Sequence, residues 1–223
     1  MHIPDGFIDI KTSAAFAAAS ALAVAGAVKG ARRQLSEQSA PLAGLTAVFI
    51  FAVQMLNFPV AAGTSGHLIG AALAMVLVGP YAATLALVVV LIIQAFLFAD
   101  GGLTALGLSI FNMAVISVWV SFAVFMLLKK ILPKTKSWLV VATFISALIS
   151  VPAAAVGFVI QYAIGANATF SVGVVLNAMV GTHILIGIGE AIITALTVSA
   201  VLASRSDLVF GWDKKNTNLE IRS

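Results

Sequence analysis

Cysteine is absent from this 223-residue sequence, and charged residues make up only 9% of it. Without cysteine, the chain has no disulfides, thiolate metal ligands or cysteine nucleophiles. Soluble domains are about one quarter charged, so these few charges cannot supply a polar surface for a chain that is 61% hydrophobic. The small basic excess, twelve Lys and Arg against eight Asp and Glu, does not indicate a nucleic-acid partner. The composition excludes a soluble or disordered protein and predicts one that crosses a membrane several times.

Long hydrophobic runs predict an all-α bundle of seven transmembrane helices, which forms a single integral membrane domain over residues 1–223. The runs cover residues 13–28, 42–60, 67–79, 81–98, 103–128, 137–164 and 173–203. A helix needs ~20 residues to cross a hydrocarbon layer of about 30 Å, so most runs are long enough. The third run is short unless its helix begins within the preceding Gly-Thr-Ser-Gly stretch at 63–66, which we therefore expect to dip into the membrane.

The positions of the basic residues predict the orientation of the chain. Eleven of the twelve follow the first, fifth or seventh run: Lys29, Arg32, Arg33, Lys129, Lys130, Lys134, Lys136, Arg205, Lys214, Lys215 and Arg222. Because cytoplasmic segments are enriched in Lys and Arg, seven crossings place residues 1–12 outside and the tail 204–223 in the cytoplasm. No basic region precedes the first run, as it does in a signal peptide. We therefore expect the mature chain to begin at Met1. We also expect the protein to lie in the lipid of a prokaryotic plasma membrane, which it crosses several times.

The first two residues form a candidate metal chelate. The α-amine of Met1, the deprotonated backbone nitrogen of His2 and the imidazole Nδ1 of His2 can close two chelate rings in one plane. Planar nitrogen donors suit Ni(II) and Cu(II), and to a lesser extent Co(II), better than Ca, Mg or tetrahedral Zn. His67, predicted on the same face of the membrane, could fill the fourth corner. The residues alone also fit a solvated His2 and a His67 that satisfies a broken helix end.

Several other polar residues in the hydrophobic runs have more than one possible role. His183 is expected to hydrogen-bond across helices, to Glu190 or an amide side chain, unless it is functional, as intramembrane ionisable residues often are. A further set could orient the imidazoles or bond helices together: Gln54, Asn57, Thr64, Ser65, Gln94, Asp100 and Asn112. Pro4 and Gly6 predict a turn that returns the N-terminal segment to the bundle.

Three motifs together resemble the CbiM/NikM family, the substrate-capturing components of energy-coupling-factor transporters for cobalt and nickel. They are MHIPDGF at residues 1–7, the block from NFP to GTSGHL at 57–68, and the block from TH to GE at 182–190. The resemblance covers essentially the whole chain. It implies that Met1, His2 and His67 are the metal ligands. It also implies that Co(II) or Ni(II) is bound as the transported substrate, with no prosthetic group.

The source of energy for transport must lie outside the sequence. The 223 residues contain no G-x-x-x-x-G-K-[ST] phosphate loop, so we expect a transport component and not an ATPase or other enzyme. The resemblance implies a transmembrane coupling subunit, two ATPase subunits and, in the cobalt systems, a small accessory membrane subunit. An alanine ladder at four-residue spacing, Ala15, Ala19, Ala23 and Ala27, could let another helix approach, although it could equally pack within the bundle.

Two competing functions use some of the same residues. The GTSG stretch matches the G-x-S-G pattern of rhomboid-like intramembrane proteases, in which His183 would act as the base for Ser65. A metal channel or exporter is the other alternative, and it would transport without any ATPase partner.

Overall fold

The computed structural model describes residues 1–34, 40–60 and 64–212, and most of these residues are helical. This described part of the chain contains seven helices, as the hydrophobic runs predict: α1 (Ile10–Gln34), α2 (Ala40–Gln54), α3 (Ala71–Val78), α4 (Pro80–Leu97), α5 (Leu106–Ile131), α6 (Lys136–Gly165) and α7 (Val172–Ser204). A short 3-10 turn, Ser206–Leu208, follows α7. The prediction of an all-α helical bundle is confirmed.

The segment between α2 and α3 forms a two-stranded antiparallel hairpin. β1 (Phe58–Val60) pairs with β2 (Thr64–Gly66), and Pro59 lies opposite Ser65. The third helix therefore does not extend back into the GTSG stretch, whose last three residues pair as a strand. It begins at Ala71, and its 8 residues extend only about 12 Å.

Five helices are long and apolar enough to cross a membrane: α1, α4, α5, α6 and α7. α2, with 15 residues, and α3, with 8, are shorter than the ~20 residues that a crossing requires. Large hydrophobic side chains such as Leu22 and Leu185 are about three-quarters exposed, as expected for a surface that faces lipid. The chain is therefore a multi-pass membrane protein, while the seven crossings and the orientation stay predictions.

Polar side chains join helices inside the bundle. α5 contains a π-helical turn, Phe111–Ile116, a feature often found at functional sites. Asn112 in this turn is fully buried, and its Nδ2 donates a hydrogen bond of 2.7 Å to Gln161 Oε1 of α6. Asn112 therefore binds α5 to α6, as polar pairs do in membrane bundles.

The N-terminal segment, residues 1–9, turns into the bundle. Gly6 has a φ of 75°, which glycine tolerates best, and Phe7 N donates to Pro4 O in the resulting turn. The segment is then attached at both ends, because Gly102 N donates to Ile3 O and Asp9 N donates to Gly165 O, each over 2.8 Å. The predicted return of this segment is confirmed.

A close approach of α1 and α5 generates a test of this packing. A Cβ added at Gly107 of α5 would lie 2.5 Å from Ala17 Cα of α1. Overpacking of this kind costs about 1–3 kcal/mol, so we expect Gly107→Ala to lower the thermal unfolding temperature of the detergent-solubilised protein. Gly26→Ala in α1 is the matched control, since no atom lies within 4 Å of its added Cβ. Equal unfolding temperatures for the two variants would contradict the packing described.

Candidate metal centre

Three segments bring the predicted site residues together. The N-terminal segment supplies Met1 and His2, the loop 67–70 after β2 supplies His67, and the loop 98–104 between α4 and α5 covers them. Met1 and His67 are fully buried and His2 is 5% exposed. Residues that lie 66 positions apart in the sequence thus share one interior region near the start of α5.

The two imidazoles stack against each other. The ring centroids of His2 and His67 lie 4.9 Å apart, and their planes are inclined by 29°. His67 Nδ1 lies 2.8 Å from the carbonyl oxygen of Leu68, so we assign the proton to Nδ1, which donates this bond. His67 Nε2 then carries a lone pair, is buried and has no hydrogen-bond partner in the described part of the chain. A metal-binding histidine typically has this arrangement, with one nitrogen tied to a carbonyl and the other free for the metal.

The terminal amine is suited to donate a lone pair. Burial lowers the pKa of the Met1 amine to about 4, an effect that the negative charge of Asp100 partly offsets. Burial, followed by the nearby amine, also lowers the pKa of His2 far below its ordinary value. Both groups are therefore neutral at pH 7, and neither has to lose a proton before it can coordinate a cation.

The loop 98–104 holds His2 from its other side. Asp100 Oδ2 lies 3.5 Å from His2 Nε2 and accepts a hydrogen bond of 2.7 Å from Asn57 Nδ2. At Gly101, whose φ is 94°, a Cβ would lie 2.9 Å from His2 Cβ, so a larger residue would displace the imidazole. The loop therefore fixes the His2 ring between Asp100 and the glycine backbone.

Asp5 attaches the N-terminal segment to the same loop. Its carboxylate accepts hydrogen bonds from Leu103 N at 3.3 Å and Thr104 N at 2.8 Å, and also from the Thr104 hydroxyl. These bonds lower the pKa of Asp5, with the Thr104 hydroxyl contributing most. Because Asp5 lies three residues after His2, its bonds restrict where the two terminal residues can lie.

The loop 67–70 is held by buried polar groups from three helices. Gln54 Nε2 of α2 donates to Ile69 O over 2.7 Å, and Gln94 Nε2 of α4 donates to Gln54 Oε1 over 2.9 Å. Glu190 of α7 accepts from Ile69 N at 2.6 Å and from Gly70 N at 3.0 Å. Glu190 thereby satisfies main-chain donors at the start of α3, where Gly70 provides no side-chain cap. His67 is thus presented by a loop whose backbone is fixed on both sides.

Other sequence-based predictions have mixed outcomes. Among the polar candidates, Gln54, Asn57, Gln94 and Asp100 support the two loops, whereas Asn112 pairs with Gln161. The predicted His183–Glu190 bond is wrong, because His183 Nδ1 pairs with Met179 O at 2.7 Å and Glu190 caps α3 instead. The side chains of Thr64 and Ser65 lie outside the described residues, so the Ser65–His183 dyad stays a prediction. Two sequence signals pointed to Glu190: it is an acidic residue in a long apolar run, and it ends the block at 182–190.

Conventional side-chain ligands do not cluster at this centre. In the described ranges, no group of three His, Cys, Asp and Glu side chains could hold a metal ion. Besides the two imidazoles, this region offers main-chain nitrogen, in the buried α-amine of Met1 and the amide of His2.

The bonds of Glu190 predict a measurable effect on the histidine loop. Glu190→Gln replaces one acceptor oxygen with a donor, so one of the two buried N–H groups loses its partner, at a cost of about 1–3 kcal/mol. We expect faster amide hydrogen exchange at Ile69 and Gly70. Thr143→Val is the control, because it removes a buried hydroxyl that bonds only within α6, to Leu139 O. Unchanged exchange at Ile69 and Gly70 in Glu190→Gln would contradict the assigned role.

Comparison with known proteins identifies the family. The family model CbiM, the cobalt uptake substrate-specific transmembrane region, matches residues 2–208. A cobalt transport protein CbiM from Sorangium cellulosum is 33% identical over 218 residues, 94% of this chain and 94% of that protein. A fused nickel transport protein NikMN from Rhodobacter capsulatus is 34% identical over 221 residues, which cover 94% of this chain and 64% of that longer protein. The crystal structure of a truncated transition metal transporter has a TM-score of 0.84 and 33% identity, and the match covers 91% of this chain and 99% of that one. The chain therefore belongs to the CbiM family and is a multi-pass membrane component of prokaryotic cobalt or nickel transport.

Proposed function

We propose that this protein captures Co(II) or Ni(II) in a chelate formed by Met1, His2 and His67, and that partner subunits then drive the ion inward by hydrolysing ATP. One observation carries the proposal. The chain buries its own amino terminus beside two stacked imidazoles, and the Nε2 of each is buried with no hydrogen-bond partner among the described residues. A buried polar atom without a partner is costly, and a bound cation would supply the missing interaction.

The chelate uses three nitrogens from two residues. The α-amine of Met1 and the amide nitrogen of His2 close a five-membered ring with the metal, and the amide nitrogen with His2 Nδ1 closes a six-membered ring. Both rings share one plane, and His67 Nε2 occupies the fourth corner. A planar set of four nitrogens suits Ni(II) better than Co(II) on geometry alone, although metal supply also decides which ion is carried.

The charges around the site are balanced when the metal is bound. Binding through the amide nitrogen displaces its proton, so a divalent ion and the amide anion leave one net positive charge. Asp100, 3.5 Å from His2 Nε2, supplies one negative charge, and its carboxylate can accept a hydrogen bond from the Nε2–H of His2 once Nδ1 binds the metal. A nearly neutral centre avoids most of the cost of holding a divalent ion away from water.

Moving the amine out of the chelate tests this proposal directly. Gly-Pro inserted before Met1 leaves every side chain intact but turns the Met1 amine into an amide, and the new amine lies two residues further away, behind a proline that has no N–H to replace it. Loss of an outer-shell partner alone costs about 10–100-fold in metal affinity, so we expect the loss of a ligand to weaken Ni(II) binding by at least about 100-fold in isothermal titration calorimetry.

The matched control adds Gly-Pro after Ser223 and should leave the affinity unchanged. Full stoichiometry and full affinity in the variant extended at the amino terminus would show that the α-amine is not a ligand.

The first helix is the best candidate for the contact with a coupling subunit. The alanine ladder predicted on α1 does not stay on one face of the helix, because Ala15 is exposed whereas Ala27 is buried. A neighbouring face carries small exposed residues: Ala14, Ala18, Ala21 and Ala25. Small residues let a second helix approach closely in lipid. Energy from a partner is needed, because the 223 residues contain no phosphate loop. The fused NikMN relative, which extends beyond the matched part, fits an additional membrane component.

A larger residue on this exposed alanine face of α1 should reduce metal uptake without changing metal affinity. We expect Ala21→Leu to reduce metal uptake severalfold in cells that also express a coupling subunit and ATPases, while Ni(II) affinity of the purified protein stays unchanged. Ala200→Leu is the control, since Ala200 is an exposed alanine near the end of α7. Equal uptake by both variants would place the coupling contact elsewhere.

Uptake by vesicles that contain this protein alone would favour the channel alternative.

A further inference from the structure

A second cavity lies at the far end of α5 from the metal centre. It has a volume of about 200 Å³ and lies between the end of α5, the start of α6 and residues Gly211 and Trp212. Since α5 has 26 residues, about 39 Å separates its two ends. A single buried water needs only about 10–15 Å³, so the cavity can hold a multi-atom group. Nothing in the proposed metal cycle uses this space.

The charged groups described around the cavity are all basic. Lys129, Lys130 and Lys134 line it, together with uncharged residues. Lys129 Nζ donates to Gly211 O, which leaves two of its protons for another acceptor. Lys130 and Lys134 are exposed, and neither has a hydrogen bond or ion pair with another described residue. These ammonium groups attract an anion, and in the described surroundings none of their charge is neutralised.

An unpartnered hydrogen-bond donor and an apolar wall lie beside the cavity. Trp212 Nε1 is buried and has no hydrogen-bond partner among the described residues. An indole N–H can only donate, so the group that completes it must be an acceptor. Met126, Leu139 and Ala142 form an apolar part of the lining, and Trp138 is 42% exposed beside them. The lining thus combines the hydrogen-bond donors of the lysines with an apolar part formed by Met126, Leu139 and Ala142.

We propose that this cavity binds the headgroup phosphate of an anionic phospholipid. The phosphodiester accepts from Trp212 Nε1 and interacts with Lys129, Lys130 and Lys134, while the first part of an acyl chain lies against Met126 and Leu139. The cavity is at the basic end of the bundle, where α5 ends at Ile131, and tryptophan side chains there match the level of lipid headgroups. Basic pockets between transmembrane helices commonly bind acidic headgroups.

A phospholipid fits these features better than a free anion. Free phosphate would use the ammonium groups and the indole but would leave the apolar wall facing water. A zwitterionic lipid would fill the wall but bring its own positive charge close to three lysines. An anionic lipid satisfies both the donors and the apolar wall, and lipids in the same leaflet reach the cavity without leaving the membrane.

Native mass spectrometry of the full chain tests the proposal. The purified protein is titrated with dioleoylphosphatidylglycerol, with dioleoylphosphatidylcholine and with inorganic phosphate. Each Lys near an anionic lipid surface contributes about 1 kcal/mol, so we expect Lys130→Gln/Lys134→Gln to weaken phosphatidylglycerol binding about 30-fold. Trp212→Phe, which keeps the ring but removes the N–H, should weaken it severalfold.

The matched control is Arg32→Gln/Arg33→Gln, which removes two exposed charges from the end of α1, outside the cavity. It should leave phosphatidylglycerol binding within about twofold, a change that corresponds to less than 0.5 kcal/mol and so to no lost contact. Equal loss in both double variants would reduce the effect to general surface charge and overturn the proposal. So would binding of phosphatidylcholine with the same affinity, or displacement of the lipid by equimolar inorganic phosphate.

Discussion

The structure depends on the burial of the chain's own amino terminus in an interior with very few charges. An α-amine is charged in water, and its transfer into a bundle of this composition disfavours the protonated form. Burial therefore converts an ordinary cation into a neutral nitrogen donor, and it does the same for the imidazole of His2 next to it. Each nitrogen can then offer a lone pair to a cation, as the proposed chelate requires.

Two sets of bonds position the two halves of this centre. Asp5, Gly102 and the bridge to Gly165 hold the N-terminal segment against the loop 98–104. Glu190, Gln54 and Gln94 hold the loop that carries His67. The two sets are linked, because Asn57 Nδ2 donates to Asp100 Oδ2 and Asp100 N donates to Gln94 O. The two halves meet at the His2–His67 stack, so the metal itself would join them.

The sequence predicted some of these features and missed others for identifiable physical reasons. Helix number and the approximate bounds of the long helices follow from hydrophobic runs, because a membrane helix is apolar both where it faces lipid and where it packs inside the bundle. The MHIPDGF and GTSGHL motifs brought Met1, His2 and His67 together as candidates, and the structure places all three in one buried region. The hairpin before α3 was not predicted, because strand pairing of three residues leaves no clear pattern in an apolar stretch. The predicted bond between His183 and Glu190 was wrong. Both residues lie on α7, and the Glu190 carboxylate accepts from main-chain N–H groups of the loop 67–70, a contact between segments far apart in the sequence.

In the proposed site, four nitrogens, including the α-amine of Met1 and the amide of His2, bind the metal in one plane. X-ray absorption spectroscopy of the Ni(II)-loaded protein measures the coordination directly. We expect a four-coordinate, planar, nitrogen-only shell with scattering from two imidazole rings. A six-coordinate shell that contains oxygen, or scattering from only one imidazole, would contradict this account of the site.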